Sequence, residues 1–560
     1  MAEKKIIYQL FPRLFGNDRL NQVPNGSLEE NGCGKFNDID ENTLDKLLEM
    51  GISHIWLTGV IRHSTGTAYP DHMLPASHPQ ILKGLAGSPY AIKDYYDLDP
   101  DLAVSVDDRM DEFLSLIDRI HDKGMKVLID FIPNHVSRDY KSLLKPEGAK
   151  DLGQDDDQSS SFSVNNNFYY LPGTSLTLPI PCEEDNYQEA PARVTGNDLF
   201  SHAPSINDWY ETVKLNYGIE FPGGIKHFEP IPDTWKKMTE ILRFWCMKGV
   251  DGFRCDMAGM VPVEFWSYAI EKIREEFPGL LFIAEIYEPG RYRDFIEKGG
   301  FDYLYDKVGL YDTLRSIIFG YQNTDSISRV WENLEGLDRY MLRFMENHDE
   351  QRVASSQFAG DAWKGLPSMA VSTLMNTGPA MIYNGQEVGE KAEGSSGFSG
   401  DDGRTSIYDY CSITELQKWR NRGASDGKLL TDEQLSLRES YSYLLRFSRK
   451  HPEIQGYFYD LMWQNQHLDP EIKHKVYAFL RYIDNSIVLI VACFDASINK
   501  TSIRIPAHAI DLAGMGDKDR FTIQELYPGK AISNLIISQI TSNGVPVTFD
   551  RSGWTAIRLG

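Results

Sequence analysis

The sequence has no paired cysteines. Its six cysteines, at 33, 182, 246, 255, 411 and 493, are scattered, with no CxxC pair among them. That spacing excludes a disulfide framework and a zinc site of the common ligand pattern. Positive charge is also scarce: 57 lysines and arginines face 81 acidic residues, a formal charge of −24. Nucleic acid and anionic membrane both demand basic surface, so neither is an expected partner. No apolar run reaches the ~18 residues that a membrane-spanning helix needs. The N-terminal MAEKKIIYQLF enters strand character at once, without the apolar stretch of a signal peptide. As written, the chain reads as cytoplasmic; a secretory signal already removed would leave the same picture. There are no internal repeats, and nothing in the sequence bears on oligomeric state.

What is present describes a folded, multidomain protein. A chain of 560 residues exceeds one ordinary domain. Its 41% hydrophobic and 25% charged residues are those of a globular chain. The acidic balance fits a neutral substrate. The 29 tyrosines and 10 tryptophans supply flat rings that can stack on sugar faces, although aromatic residues are first of all core material.

From the N-terminus the pattern alternates. Ile6–Pro12 is a short apolar strand, Asn42–Met50 a helix ended by Gly51, and His54–Thr58 a second strand. Val106–Lys123 reads as an amphipathic helix and Lys126–Asp130 as a third strand. Near-continuous apolar strands separated by helices indicate a parallel sheet buried on both faces. The rhythm then breaks into polar sequence, with DDDQSSS at 155–161 and NNN at 165–167. A structureless loop of that length does not suit a compact domain, so 137–221 is expected to be an inserted domain.

Helix–strand alternation resumes at Asp233. Expected strands lie at Val250–Cys255, Leu280–Ala284, Phe301–Tyr305, Arg343–Glu346 and Pro379–Tyr383, and a final helix at Thr431–Lys450. Eight strand–helix units predict a (β/α)8 TIM barrel over 1–136 and 222–452, with the insertion after strand 3. A doubly wound open sheet is the alternative, weakened by the missing Gly-rich phosphate loop. From 453 to 560 the period switches to two, which predicts a C-terminal all-β sandwich domain.

In a barrel, chemistry gathers where the strands end. The third strand ends in Asp130, with Asn134-His135 just beyond. The fourth ends in Arg254-Cys255-Asp256, the fifth in Glu285, the seventh in Glu346-Asn-His-Asp349 and the eighth in Asn384-Gly-Gln-Glu387. Arg254 and Asp256, two apart on a strand, point to the same face. Converging carboxylates without a metal cluster point to glycoside hydrolysis, with one carboxylate ionised and another held protonated. Asp256, beside Arg254, suits the low-pKa role. Glu285, at the end of an apolar strand, suits the acid role, because burial raises a carboxyl pKa. Asp349 is the third carboxylate, with His348 beside it. Cys255 reads as a small buried filler.

These motifs resemble the α-amylase family of glycoside hydrolases, family 13. LIDFIPNH, GVDGFRCD, FIAEI and FMENHD are similar to its four conserved regions, in order. YQLFPRLF, IWLTGV and GPAMIYNGQE resemble its first, second and eighth strands. The resemblance implies cleavage of an α-glucosidic bond in starch-type glucans or malto-oligosaccharides, with retention. Asp256 is then the nucleophile, Glu285 the acid/base and Asp349 the residue that holds the sugar hydroxyls. It places His135, His348 and Arg254 around the same sugar. It also assigns Tyr90, in SPYAIKDYY, to stack on that sugar, against the alternative of plain core packing. Asp130 is expected to anchor the loop that carries His135.

No cofactor is required for this chemistry. The family pattern implies a structural calcium at Asn134, and the Asn-rich loop at 17–25 is a second, weaker candidate. Two residues depart from the family: where α-1,4-acting members carry Lys-His after the nucleophile, this chain has Gly259 and Met260. That departure leaves chain length and linkage open, including an α-1,6- or sucrose-type glucosidase and a transglycosylase. A non-catalytic glycan-binding relative and a metal-dependent barrel hydrolase using His135 and His348 are the readings from other classes.

Overall fold

The computed structural model describes residues 3–560 apart from 21, 183–184, 394–396, 399, 466, 469 and 530–531. Eight short apolar strands form its centre: β1 (Ile6–Leu10), β2 (His54–Leu57), β3 (Lys126–Phe131), β4 (Gly252–Cys255), β5 (Leu281–Ala284), β6 (Tyr303–Tyr305), β7 (Met341–Leu342) and β8 (Ala380–Tyr383). They pair in the order β7-β6-β5-β4-β3-β2-β1-β8, and every ladder is parallel. A single bridge, Arg343 to Ala380, joins the two ends and closes the barrel. Two backbone bonds hold that seam, Arg343 N to Pro379 O at 3.1 Å and Met381 N to Arg343 O at 2.9 Å.

The surrounding helices are α1 (Glu41–Met50), α2 (Arg109–Asp122), α3 (Asp233–Met247), α4 (Val263–Glu276), α5 (Tyr292–Glu297), α6 (Asp312–Ile318), α7 (Asp325–Asn333), α8 (Gly365–Leu374) and α9 (Asp432–Lys450). Their ends follow local chemistry. Asp40 accepts the Thr43 amide at the start of α1, and Gly51, at φ 103°, ends it in the left-handed region. Thr431 and Gln434 form a reciprocal capping box on α9.

The seventh strand begins earlier than expected. The ladder with β6 runs over Met341–Leu342, Arg343 keeps the bridge to Ala380, and residues 344–346 leave the sheet at the barrel mouth. Side chains there capture backbone amides: Glu346 Oε1 accepts from Val353 N at 2.8 Å, and Asn347 Oδ1 accepts from both Asp349 N and Glu350 N at 2.9 Å. Local side-chain bonds of this kind compete with a ladder.

After β3 the chain leaves the barrel. His135–Ser137 pairs antiparallel with Thr212–Lys214, and between them lie loops with a small ladder, Tyr170–Leu171 on Ala192–Arg193. A further hairpin, Ile219–Glu220 on Ile225–Lys226, precedes α3.

The C-terminal segment is a six-stranded antiparallel sheet of Tyr457–Asp460, Val476–Ile483, Ser486–Cys493, Trp554–Leu559, Arg520–Tyr527 and Ile532–Ile536, in that spatial order. Lys500–Ile503 and Val545–Thr548 make a separate pair. Among the described residues three short helices, Pro470–Lys473, Ala507–Leu512 and Ile537–Ser542, lie between these strands. α8, buried along its whole length, packs between the barrel and the strand Ser486–Cys493. Among the described residues no helix is long and apolar enough to cross a membrane.

Candidate active site

Strand register sets the site. β4 and β5 pair Cys255 with Ala284, so the next residues along, Asp256 and Glu285, emerge side by side. The same alignment on the other side pairs Arg254 with Asp130. Arg254 is 1% exposed and lies between the carboxylates. Its Nη1 donates to Asp256 Oδ1 at 2.7 Å and stands 3.5 Å from Asp130 Oδ1, while Nη2 lies 2.9 Å from Glu285 Oε1. The guanidinium stacks over the rings of Trp56, Tyr90 and Tyr305 at 5.3–5.4 Å, and Nε donates to Tyr305 Oη at 3.2 Å. A buried cation with several carboxylates around it satisfies the condition for keeping such charges inside a fold.

Two further donors aim at Glu285. Tyr287 Oη donates to Oε1, and the backbone amide of Met257 donates to Oε2 at 2.7 Å. Met257 reaches that position with φ 43° and ψ 38°, a left-handed conformation that costs a side-chain-bearing residue about 1–3 kcal/mol. The turn directly after Asp256 is therefore strained, and its amide meets the neighbouring carboxylate.

Burial dominates the electrostatics. It pushes Asp256 up to about 6, against the pull of Arg254, and raises Glu285, which also feels the Asp256 charge. The expected low pKa of Asp256 is thus corrected: the arginine limits the rise without reversing it. Asp349, with its side chain 43% exposed at the rim, is raised by desolvation and then by Glu285. Asp130 rises to about 6 and serves the framework. Its Oδ2 accepts the Gly59 amide at 3.2 Å, so it fixes the turn after β2 and Arg254, where the loop carrying His135 was expected.

The histidines are neutral donors or acceptors, because burial lowers both His135 and His348 to about 3. Gln9 Nε2 donates to His348 Nδ1 at 2.8 Å and so assigns the proton to Nε2. That nitrogen faces Tyr90 Oη at 2.6 Å and Asp349 Oδ2 at 3.1 Å. Tyr90 stacks on the His348 ring at 5.1 Å, and both border the cavity; the tyrosine is neither plain core nor free. His135 packs against Trp209 at 5.1 Å.

The structure thus brings Asp256, Glu285, Asp349, Tyr90, His135 and His348 to one cavity of about 240 Å³, with Arg254 beneath it. Glu346 and Glu387, the other strand-end acids, are structural. Glu346 pairs with Arg352 at 2.9 Å, and Glu387 accepts from Tyr8 Oη at 2.8 Å. Sequence reading missed Trp209, Glu211, Tyr287 and Tyr408, which also line the cavity. Tyr287 carried a signal: two residues past Glu285, it points the same way from an extended chain. The others come from the insertion and from a long loop, where periodicity says nothing.

At Asn134, where a calcium is expected, the structure places the ammonium of Lys214. The Lys214 ammonium bonds Asn134 Oδ1, pairs with Asp198 Oδ1 at 2.7 Å and lies 3.4 Å from Met260 O. A resident monovalent cation with a 5% exposed side chain occupies the oxygen cluster that a divalent ion would need. Asn134 Nδ2 is turned to Gly196 O at 2.8 Å. In the weaker candidate loop, Asn17 points its amide nitrogen at the carbonyls of Asn31 and Cys411. Among the described residues no group of three or more His, Cys, Asp or Glu is placed to hold a metal ion.

A barrel with an insertion after its third strand, three carboxylates at its mouth and a β-sheet behind it defines a class, the α-amylase fold. Residues 9–279 match the family model for the α-amylase catalytic domain. Alpha-amylase 2 of Dictyoglomus thermophilum is 22% identical over 398 residues, covering 69% of this chain and 55% of that protein. The Homo sapiens amino acid transporter heavy chain SLC3A1 is 27% identical over 256 residues, 45% of this chain and 28% of that one. The match thus spans about half or less of these relatives' lengths. A maltogenic α-amylase, AmyB, from Thermotoga neapolitana shares the fold, with a TM-score of 0.62 at 18% identity over 99% of this chain and 98% of that one.

Proposed function

We propose that the chain is a retaining glycoside hydrolase that cleaves α-glucosidic bonds, the α-1,4 bond foremost, in starch-type glucans or malto-oligosaccharides. One observation carries this reading: Asp256 and Glu285 lie on either side of a single buried guanidinium, at 2.7 and 2.9 Å from its two terminal nitrogens. The shared anchor supports the carboxyl spacing of about 5–5.5 Å that retention uses, with room for a sugar carbon and without room for an extra water. Asp256 attacks the anomeric carbon as the bond to the leaving oxygen breaks, and Glu285 delivers its proton to that oxygen. Glu285 then takes a proton from water, which displaces Asp256 and restores both groups. Asp349 and neutral His348 hold hydroxyls of the same sugar.

SLC3A1 bears the name of a transporter subunit, so relatedness alone does not assign catalysis. The complete carboxylate set, facing a cavity, supports the enzyme. The test is product analysis with maltoheptaose, isomaltose, pullulan and sucrose, recording anomer and chain length. The expected result is α-anomeric product from maltoheptaose; β-anomeric product, or no turnover on any of the four, overturns the reading. Glu285→Gln is expected to lower kcat about 10²–10⁴-fold on a glucan, the range for losing a general acid.

A further inference from the structure

A second cavity lies apart from the catalytic pocket and shares none of its lining residues. It is a groove of about 860 Å³ between α5, the α6–α7 segment and the turn after α7. That volume is in the range of ligand sites, and several times the 240 Å³ at the carboxylates. Pro289 and Gly290, in the loop that also carries Tyr287, are among its lining residues.

Three observations define what it would hold. Tyr321 is 81% exposed and stacks on Phe319 with centroids 5.5 Å apart and planes 22° apart. Phe319 is itself backed by Arg315 and Phe358. The result is a braced, solvent-facing ring that no core contact requires. Tyr292, 2% exposed, lines the groove with a hydroxyl that finds no protein partner. Such a buried polar atom calls for a ligand or an ordered water. Beside them the side chains of Gln322, Asn323, Asn333 and Arg329 make no hydrogen bond or ion pair among the described residues.

Their chemistry selects a class of ligand. Amides and a hydroxyl match the paired donors and acceptors of vicinal sugar hydroxyls, and a flat ring matches the apolar face of a pyranose. An anionic ligand fits poorly. Arg293 is already paired with Glu297 at 2.8 Å, and Glu335 lines the groove together with Arg329.

We propose that this groove is a second carbohydrate-binding site, which holds a stretch of neutral α-glucan chain with Tyr321 as its stacking platform. The choice of α-glucan rests on the catalytic reading above; the choice of a neutral saccharide does not.

The experiment measures retardation of the full chain in native gels containing soluble starch, with calorimetric titration of maltoheptaose alongside. Tyr321→Ala and Arg329→Ala are each expected to weaken starch binding about tenfold, the loss of one good contact, and to remove one of two maltoheptaose sites. Tyr457→Ala, at a tyrosine 68% exposed on the C-terminal sheet, is expected to migrate as the parent does. Thermal melts of the variants establish that each is folded. Equal retardation of parent and Tyr321→Ala overturns the proposal. So does an unretarded parent, or a concentration-dependent dimer that Tyr321→Ala abolishes. Glucan hydrolysis is scored separately: retardation without hydrolysis removes the catalytic reading and leaves the groove, whereas hydrolysis without Tyr321-dependent retardation does the reverse.

Discussion

Arg254 governs the behaviour of the carboxylates around it, and two consequences can be measured. Asp256 is held near 6 in the fold, against 3.8 for a free aspartate. Hydrolysis requires it ionised, so kcat/KM is expected to fall with an acid-limb midpoint near 6, not near 4. Because Asp256, Glu285 and Asp349 titrate together, the midpoint belongs to the set. A midpoint near 4 sinks the assignment of a buried nucleophile. The second consequence is stability. A carboxyl whose pKa is raised by folding contributes stability below its unfolded pKa and loses it as pH climbs through the folded value. Asp256→Asn abolishes this loss, and is expected to gain up to about 2–3 kcal/mol over the wild type at pH 8 while losing hydrolysis. The gain should vanish at pH 4; a variant less stable than wild type at pH 8 contradicts the electrostatic account.

At the scale of elements, the insertion is the part whose consequences the sequence concealed. Strands with continuous apolar runs, such as LLFIA before Glu285, announce themselves, and the residues read beyond their ends, Asp256, Glu285 and Asp349, line one cavity. The helices α5 and α7 did not, being short and flanked by polar sequence. Nor could the sequence show that Thr212–Lys214 folds back on His135–Ser137 and so carries Trp209 and Glu211 to the cavity. Pairing between segments some 75 residues apart leaves no local trace. Lys214 is the sharpest case: a lysine at a ladder's end gives no hint that it fills an oxygen cluster. Lys214→Ala leaves Asn134 Oδ1, Asp198 and Met260 O around an empty space. The variant is expected to lose about 3–5 kcal/mol, as when one partner of a buried pair is removed, and to regain part of its melting temperature with millimolar calcium. Wild-type melting should be indifferent to chelator. A calcium-dependent wild type overturns the ammonium assignment.

At the scale of the molecule, barrel and C-terminal sheet are joined through buried charge as well as apolar packing. Arg481, 2% exposed, donates to Met375 O at 2.7 Å from one nitrogen and to Ile454 O and Gly456 O from the other, tying the sheet to the end of α8 and to the chain after α9. Around the barrel itself the joints are unequal. Seven neighbouring pairs share ladders, whereas β7 and β8 meet at one bridge. Side chains reinforce that joint: Arg343 spans Asp306 after β6 and Asp338 before β7, at 2.9 and 2.6 Å.

The single-bridge seam makes the barrel a ring with one clasp. Local opening starts where the fewest bonds must break together, so the amides of Arg343 and Met381 are expected to take up deuterium before those of β2, β3 and β4. Equal protection all round the ring contradicts this. Asp349 lies six residues beyond the clasp, whereas Asp256 follows a strand with four-residue ladders on both sides and shares one of them with the strand that carries Glu285. The reacting pair is therefore on the stiff side of the ring, and the carboxylate assigned to grip a sugar is on the side free to yield as that sugar changes shape.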